Sequence, residues 1–208
     1  MPRILSQLKS LIAILIFTIS VSGCTLVFQK GRRVDVEKIS KLKNELSELE
    51  RAKAELEDRL KKEIGDKEVK VEMLEKGLVI TFLGEVLFNS GKAELRKDSS
   101  EKLSKVGEVL NTTVKDLNIG VEGHTDNQPI KYSAWKSNWH LSATRALSVL
   151  EFLIKEQNLD PKRLSISGYG EYRPTDTNET KEGRQKNRRV EIVILPKSTK
   201  VAKSSQQP

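Results

Sequence analysis

The sequence predicts an α+β domain of helices laid on a mixed sheet, preceded by a long solvated helix. Three observations carry this. Short alternating apolar stretches recur between residues 69 and 194, two helical apolar stripes lie between them, and a charge-rich segment with a different period precedes them. With 208 residues the chain is long enough for one or two domains. Charged residues make up 32% and aromatic residues only 5%, which implies a modest core beside a well-solvated segment.

Taken in order, Val69, Val71 and Met73 alternate, as do Leu78, Ile80 and Phe82, with Lys76-Gly77 between them, which reads as a hairpin. Asp98-x-x-Glu101 has the form of a capping box ahead of the stripe Leu103, Val106 and Leu110. Ile119-Val121-Gly123 alternates as a strand. Asn138 is a suitable cap for a helix with inner face Ala143, Ala146, Leu147, Leu150, Leu153 and Ile154. Leu164 and Ile166 mark a further strand, and Val190, Ile192 and Ile194 the last.

Upstream, Ile39, Leu42, Leu46, Leu49, Leu56 and Leu60 fall on the a and d positions of a heptad, with Lys53 interrupting the seam. Residues 35–66 are therefore expected to form a coiled-coil or helical spacer that also self-associates. The alternative is a single helix packing on its own domain. The strict a/d stripe, narrow for a core helix, favours the spacer.

The N-terminus has the order of an export signal. Arg3 and Lys9 precede an apolar run from Leu11 to Val21, too short for the ~20 residues that span a bilayer. Val21-Ser22-Gly23-Cys24 resembles the lipobox of bacterial lipoproteins. That resemblance implies a signal peptide over 1–23, removed before Cys24, and a lipidated N-terminus and tether over 24–34. Two or three acyl chains anchor durably, whereas one is marginal. Thr25 in place of an aspartate favours the outer membrane, with the domain on its periplasmic face. Cys24 is the single cysteine, so no internal disulfide can form. Residues 197–208, rich in Lys and Ser, are expected to be a disordered basic tail.

Net charge is +8. Basic and acidic residues are interspersed and no nucleic-acid-binding pattern occurs, so nucleic acid is not an expected partner. His124 and His140, the only histidines, lack a matching ligand set, so no metal or cofactor is implied. No nucleophile–base set supports an enzyme, and a hydrolytic activity is the weaker rival.

Leu87-Phe88-Asn89-Ser90-Gly91-Lys92-Ala93-Glu94-Leu95, Gly123-His124-Thr125-Asp126-Asn127, Asn138-Trp139-His140-Leu141-Ser142-Ala143-Thr144-Arg145-Ala146, Gly168-Tyr169-Gly170-Glu171 and Gly183-Arg184-Gln185-Lys186-Asn187-Arg188-Arg189-Val190-Glu191 follow one another in sensible spacing. Together they resemble the OmpA-like domain, over roughly residues 69–196. The resemblance implies a βαβαβ layer of two helices on a mixed sheet and non-covalent binding of peptidoglycan. It implies that Asp126 takes the ammonium and Arg145 the carboxylate of diaminopimelate in the stem peptide, with Thr125 and Asn138 lining the pocket and Arg189 near it. An ion pair between Asp126 and Arg145 is the structural alternative. The 127–137 stretch resembles the flagellar stator proteins of this family, but those keep an acidic residue in a membrane helix and this apolar run has none. A membrane-to-wall tether is thus expected, with a motility or secretion-system anchor as the alternative.

Overall fold

The computed structural model describes residues 35–130 and 135–197. The expected signal peptide, Cys24 and the tether lie outside these residues, as does the expected tail beyond Lys197. The chain divides into two compact units, Met1–Asn44 and Glu45–Pro208. Helix α1 covers residues 35–59, of which 35–44 belong to the first unit.

The second unit continues through α2 (Lys61–Gly65), β1 (Val69–Leu74), β2 (Gly77–Leu83), the single turn α3 (Gly84–Leu87) and α4 (Ser99–Thr112). Then come β3 (Asn118–Gly123), α5 (Asn138–Lys155), β4 (Leu164–Gly168), α6 (Lys181–Asn187) and β5 (Arg189–Leu195). The five strands form one sheet in the order β1-β2-β5-β3-β4. Only β3 and β4 run parallel, and α5 makes the crossover between them. The last strand is thus the central one, with Val190 opposite both Phe82 and Gly123.

Strand alternation divides the faces. Leu78, Ile80, Phe82, Ile119, Val121, Val190, Ile192 and Ile194 point into one core with Leu103, Val106 and Leu110 of α4 and Ala146, Val149 and Leu153 of α5. Leu49, Ala52, Leu56 and Leu60 are buried in the same core. This corrects the spacer boundary: from residue 45 onward α1 belongs to the domain and adds a third helix to the two expected. The seam is split, because Ile39, Leu42 and Leu46 stay exposed. Polar contacts reinforce the docking: Thr113 Oγ1 donates to Glu55 Oε2 at 2.5 Å, and Arg59 pairs with Glu108. Arg163 closes the far end of α4, donating to the carbonyls of Leu110, Val114 and Leu117, which satisfies acceptors a helix terminus leaves open.

Local expectations are corrected at three points. Ser137, not Asn138, caps α5, its side chain accepting from His140 N at 3.2 Å. Asp98 makes no side-chain cap and pairs with Arg96 instead. The inner face of α5 is rotated so that Val149 is buried and Leu147 exposed. The rotation follows from Arg145 and Ser142 being buried polar residues that an apolar count overlooks.

Candidate functional site

The end of β3, the first turns of α5, the α3 region and the start of β5 enclose a cavity of about 740 Å³. Gly123 fixes the approach of helix to sheet. A Cβ there would lie 2.0 Å from the carbonyl oxygen of Ser142, so a side chain would push α5 away. Gly170, at φ +55, ties the next loop to the same point: its N–H donates to Ser142 Oγ at 2.9 Å and its carbonyl accepts from Thr125 N at 2.9 Å.

Thr125, Asp126, Asn138 and Arg145 all line this cavity, with Phe88, Trp135, Leu141 and Arg188. Arg189 does not. It lies on the opposite face of the sheet, where its Nε donates to Glu191 Oε1 at 2.5 Å and an Nη to the Arg173 carbonyl at 3.1 Å. Arg188 takes its place, with Nη1 2.7 Å from Asp126 Oδ2. The Asp126 carboxylate also accepts from Gln128 N at 3.2 Å. The alternative of a direct Asp126–Arg145 pair is therefore not what forms.

Arg145 is almost fully buried. Its Nε donates to the Lys92 carbonyl at 2.9 Å and its guanidinium lies over the Phe88 ring, 5.1 Å from the centroid. The stretch from Phe88 to Lys92 thus wraps the arginine. Burial, then the neighbouring Arg188, pulls its pKa down to about 10, so it remains cationic at neutral pH. Asn138 braces the loop, its Nδ2 donating to Glu171 Oε2 at 2.7 Å and to the Gln128 carbonyl at 3.2 Å. The Thr125 hydroxyl, buried on the cavity wall, has no hydrogen-bond partner among the described residues. Buried polar atoms without a partner are uncommon in native folds.

The site therefore holds two guanidinia against two carboxylates, Asp126 and a Glu85 already paired with Gln185, beside the Thr125 hydroxyl and an apolar wall of Phe88, Trp135 and Leu141. It can receive a carboxylate on Arg145 while Asp126 keeps acceptor capacity for an ammonium. Sequence reasoning missed Arg188 and Phe88. Parity could have found the first: Arg188 shares the phase of Val190 and Ile192, the phase that faces the helices, and Arg189 does not.

His124 lies behind the site, buried against Tyr169, with ring centroids 5.3 Å apart. Burial, reinforced by Arg189, lowers its pKa to about 3. Glu122, His124 and Glu191 are spaced as metal ligands could be. The Lys76 ammonium, however, bridges the two carboxylates at 2.6 and 2.5 Å. Against the opposing effect of burial, those two bonds hold Lys76 above the ordinary lysine range. With Arg189 also on Glu191, the two carboxylates are balanced by two cations of the chain's own.

The pattern of the OmpA family matches residues 87–188. Motility protein B of Bacillus subtilis is 43% identical over 150 residues, 72% of this chain and 57% of that protein. The outer-membrane lipoprotein YfiB of Pseudomonas aeruginosa is 32% identical over 123 residues, 59% of this chain and 70% of that protein. Among solved structures, the cell wall anchor of the T6SS from Pseudomonas aeruginosa superposes with a TM-score of 0.61 at 34% identity, covering 68% of this chain and 96% of that one. The chain spans little more than half the length of the first curated relatives it matches.

Proposed function

The chain belongs to the OmpA family, and on that premise we propose that it tethers an envelope membrane to the cell wall by gripping peptidoglycan without cutting it. The observation that carries the reading is the cavity itself. A buried Arg145 held by Lys92 and Phe88 faces an Asp126 fixed by Arg188, with the Thr125 hydroxyl unmet between the strand end and the helix. Diaminopimelate in the stem peptide is zwitterionic at its free end. Its carboxylate would take the Arg145 fork in two charge-assisted hydrogen bonds, and its ammonium would take Asp126. Thr125 would complete the ligand's hydrogen bonds, while Asn138 holds the loop and Arg188 orients Asp126. Arg189 acts through the fold alone.

Lipidation of Cys24 would supply the membrane end, at the outer membrane. The lipobox-like residues 21–24 and the likeness to an outer-membrane lipoprotein support this. Self-association would run through the exposed Val36, Ile39, Leu42 and Leu46 rather than the full seam. A second reading, a wall anchor within a motility or secretion machine, is favoured by the 43% identity with Motility protein B and by the likeness to the secretion-system anchor. Both readings use the same pocket and differ in the membrane and partners.

The test is co-sedimentation of the protein with purified sacculi. Asp126→Ala and Arg145→Ala should each stay folded and lose about 2–5 kcal/mol of binding, roughly thirtyfold to several-thousandfold in affinity. Wild-type binding by both folded variants would refute the site, and fragments released from sacculi over time would favour an enzyme. Cys24→Ala should leave the membrane fraction, whereas an unchanged fraction would refute the lipid anchor.

A further inference from the structure

Beside the cavity, two large aromatic rings face water. Trp139, in the first turn of α5, is 48% exposed, and Tyr172, in the turn after β4, is 64% exposed. They stack on each other with centroids 5.2 Å apart at 22°. Rings in water do not hold such a geometry by burial, and here the backbone holds it. Tyr172 N donates to the Tyr169 carbonyl at 3.2 Å, closing the turn. Gly170 in that turn sits so close to the start of α5 that a Cβ would lie 3.3 Å from Trp139 N. Glu171, between Gly170 and Tyr172, accepts from Asn138 at 2.7 Å. The anchors of the pair are thus residues of the cavity wall: Asn138 precedes Trp139 and grips Glu171, and Thr125 N donates to Gly170.

We propose that the Trp139–Tyr172 pair is a saccharide platform that takes a sugar of the glycan strand while the adjoining cavity takes the stem peptide; this rests on the function proposed above. The chemistry is that of a pyranose. A sugar ring presents a flat C–H face that stacks on an aromatic ring and a rim of hydroxyl and acetamido groups that seek hydrogen bonds. Trp and Tyr combine flat apolar area with a polar tip, and the Glu171 carboxylate beside them is a further acceptor. A pre-stacked pair loses little rotamer freedom on binding, so its contact area converts efficiently into affinity. Two exposed rings anchored through residues of a charged pocket's wall suit a ligand with a charged peptide on one side and a sugar on the other.

The experiment compares two soluble ligands by calorimetry on the wild-type chain: the free stem tetrapeptide, and the same peptide joined to its disaccharide. The sugar-bearing ligand should bind about five- to tenfold tighter, the gain expected of one stacked aromatic contact. Trp139→Ala and Tyr172→Ala should each remove that gain and leave the tetrapeptide affinity unchanged, while Trp139→Phe and Tyr172→Phe should restore part of it. Equal affinity of the wild type for both ligands would overturn the platform and leave the pocket intact. A sugar gain that survives both alanine changes would place the saccharide elsewhere and also overturn it. If neither ligand binds, the pocket reading fails and the platform with it.

Discussion

Arg188 Nη1 lies 2.7 Å from Asp126 Oδ2, while the next residue, Arg189, turns to the other face of the sheet and holds Glu191. Two adjacent arginines thus have separable roles. Arg188→Ala should fold like the wild type and bind sacculi less well, because Asp126 loses the partner that orients it. Arg189→Ala leaves a buried Glu191 with only Lys76, and breaking a buried pair typically removes about 3–5 kcal/mol of stability. Urea denaturation together with sedimentation on sacculi separates the two, and the opposite pattern would reverse the assignment.

Arg145 is held charged where burial opposes charge, with its pKa lowered from the ordinary arginine range to about 10. At ~1.36 kcal/mol per unit, that corresponds to a penalty of about 3 kcal/mol at neutral pH. Its folded pKa is below its unfolded one, so the penalty is full below about pH 10 and eases as pH rises above it. Arg145→Met should therefore melt no lower than the wild type while failing to bind sacculi. Such a trade of stability for function is common at binding sites. A large fall in melting temperature would mean that the Lys92 bond outweighs the burial penalty.

His124 sets an acid limit. Its pKa is about 3 in the fold against 6.5 when exposed, so between those values the unfolded chain binds the extra proton. Stability falls as pH drops through that window, by up to ~1.36 kcal/mol per unit. Carboxylates held below their usual range, such as Glu191, weaken the fold in the same direction, but only from about pH 4.5 downward. Comparing His124→Phe with the wild type between pH 6.5 and 4.5 isolates the imidazole. The variant should be nearly flat there, and parallel curves would remove His124 as the cause.

Leu56 and Leu60 lie fully buried in the domain core. Leu56→Ala should destabilise the domain by about 2–5 kcal/mol, a change that would be silent in a detached spacer. A chain beginning at residue 66 should melt well below one beginning at residue 45. Equal melting temperatures would restore the spacer boundary.

How much of this was legible in sequence varies with the kind of signal. The strands could be read directly, because alternation such as Leu78, Ile80, Phe82 requires only one buried face. Thr125, Asp126, Asn138 and Arg145 were found through the family pattern, and the fold brings all four to one cavity. The reach of α1 was misjudged because an a/d stripe is the same whether it meets a second chain or the chain's own α4. The family resemblance points to Arg189, and strand phase, which puts Arg188 on the helix-facing side, is what separates the tandem pair. The rotated face of α5 was hidden by Arg145 itself, a charged residue occupying a position that an apolar stripe assigns to solvent. Nothing in the sequence signalled that Lys76, in a hairpin turn, would serve as counter-ion to Glu122 and Glu191.

The position of β5 at the centre of the sheet has a kinetic consequence. No length of chain ending before residue 189 contains two bonded neighbours for β3, or any partner for β2 except β1. A ribosome adding ~5–20 residues per second therefore makes every element ahead of β5 before the sheet can close. Closure then depends on pairings of high sequence separation, such as Leu78 with Ile194, which are slow to form. A nascent chain with this topology has no closed sheet to unravel until β5 is made, and so stays extensible throughout the synthesis of everything ahead of it.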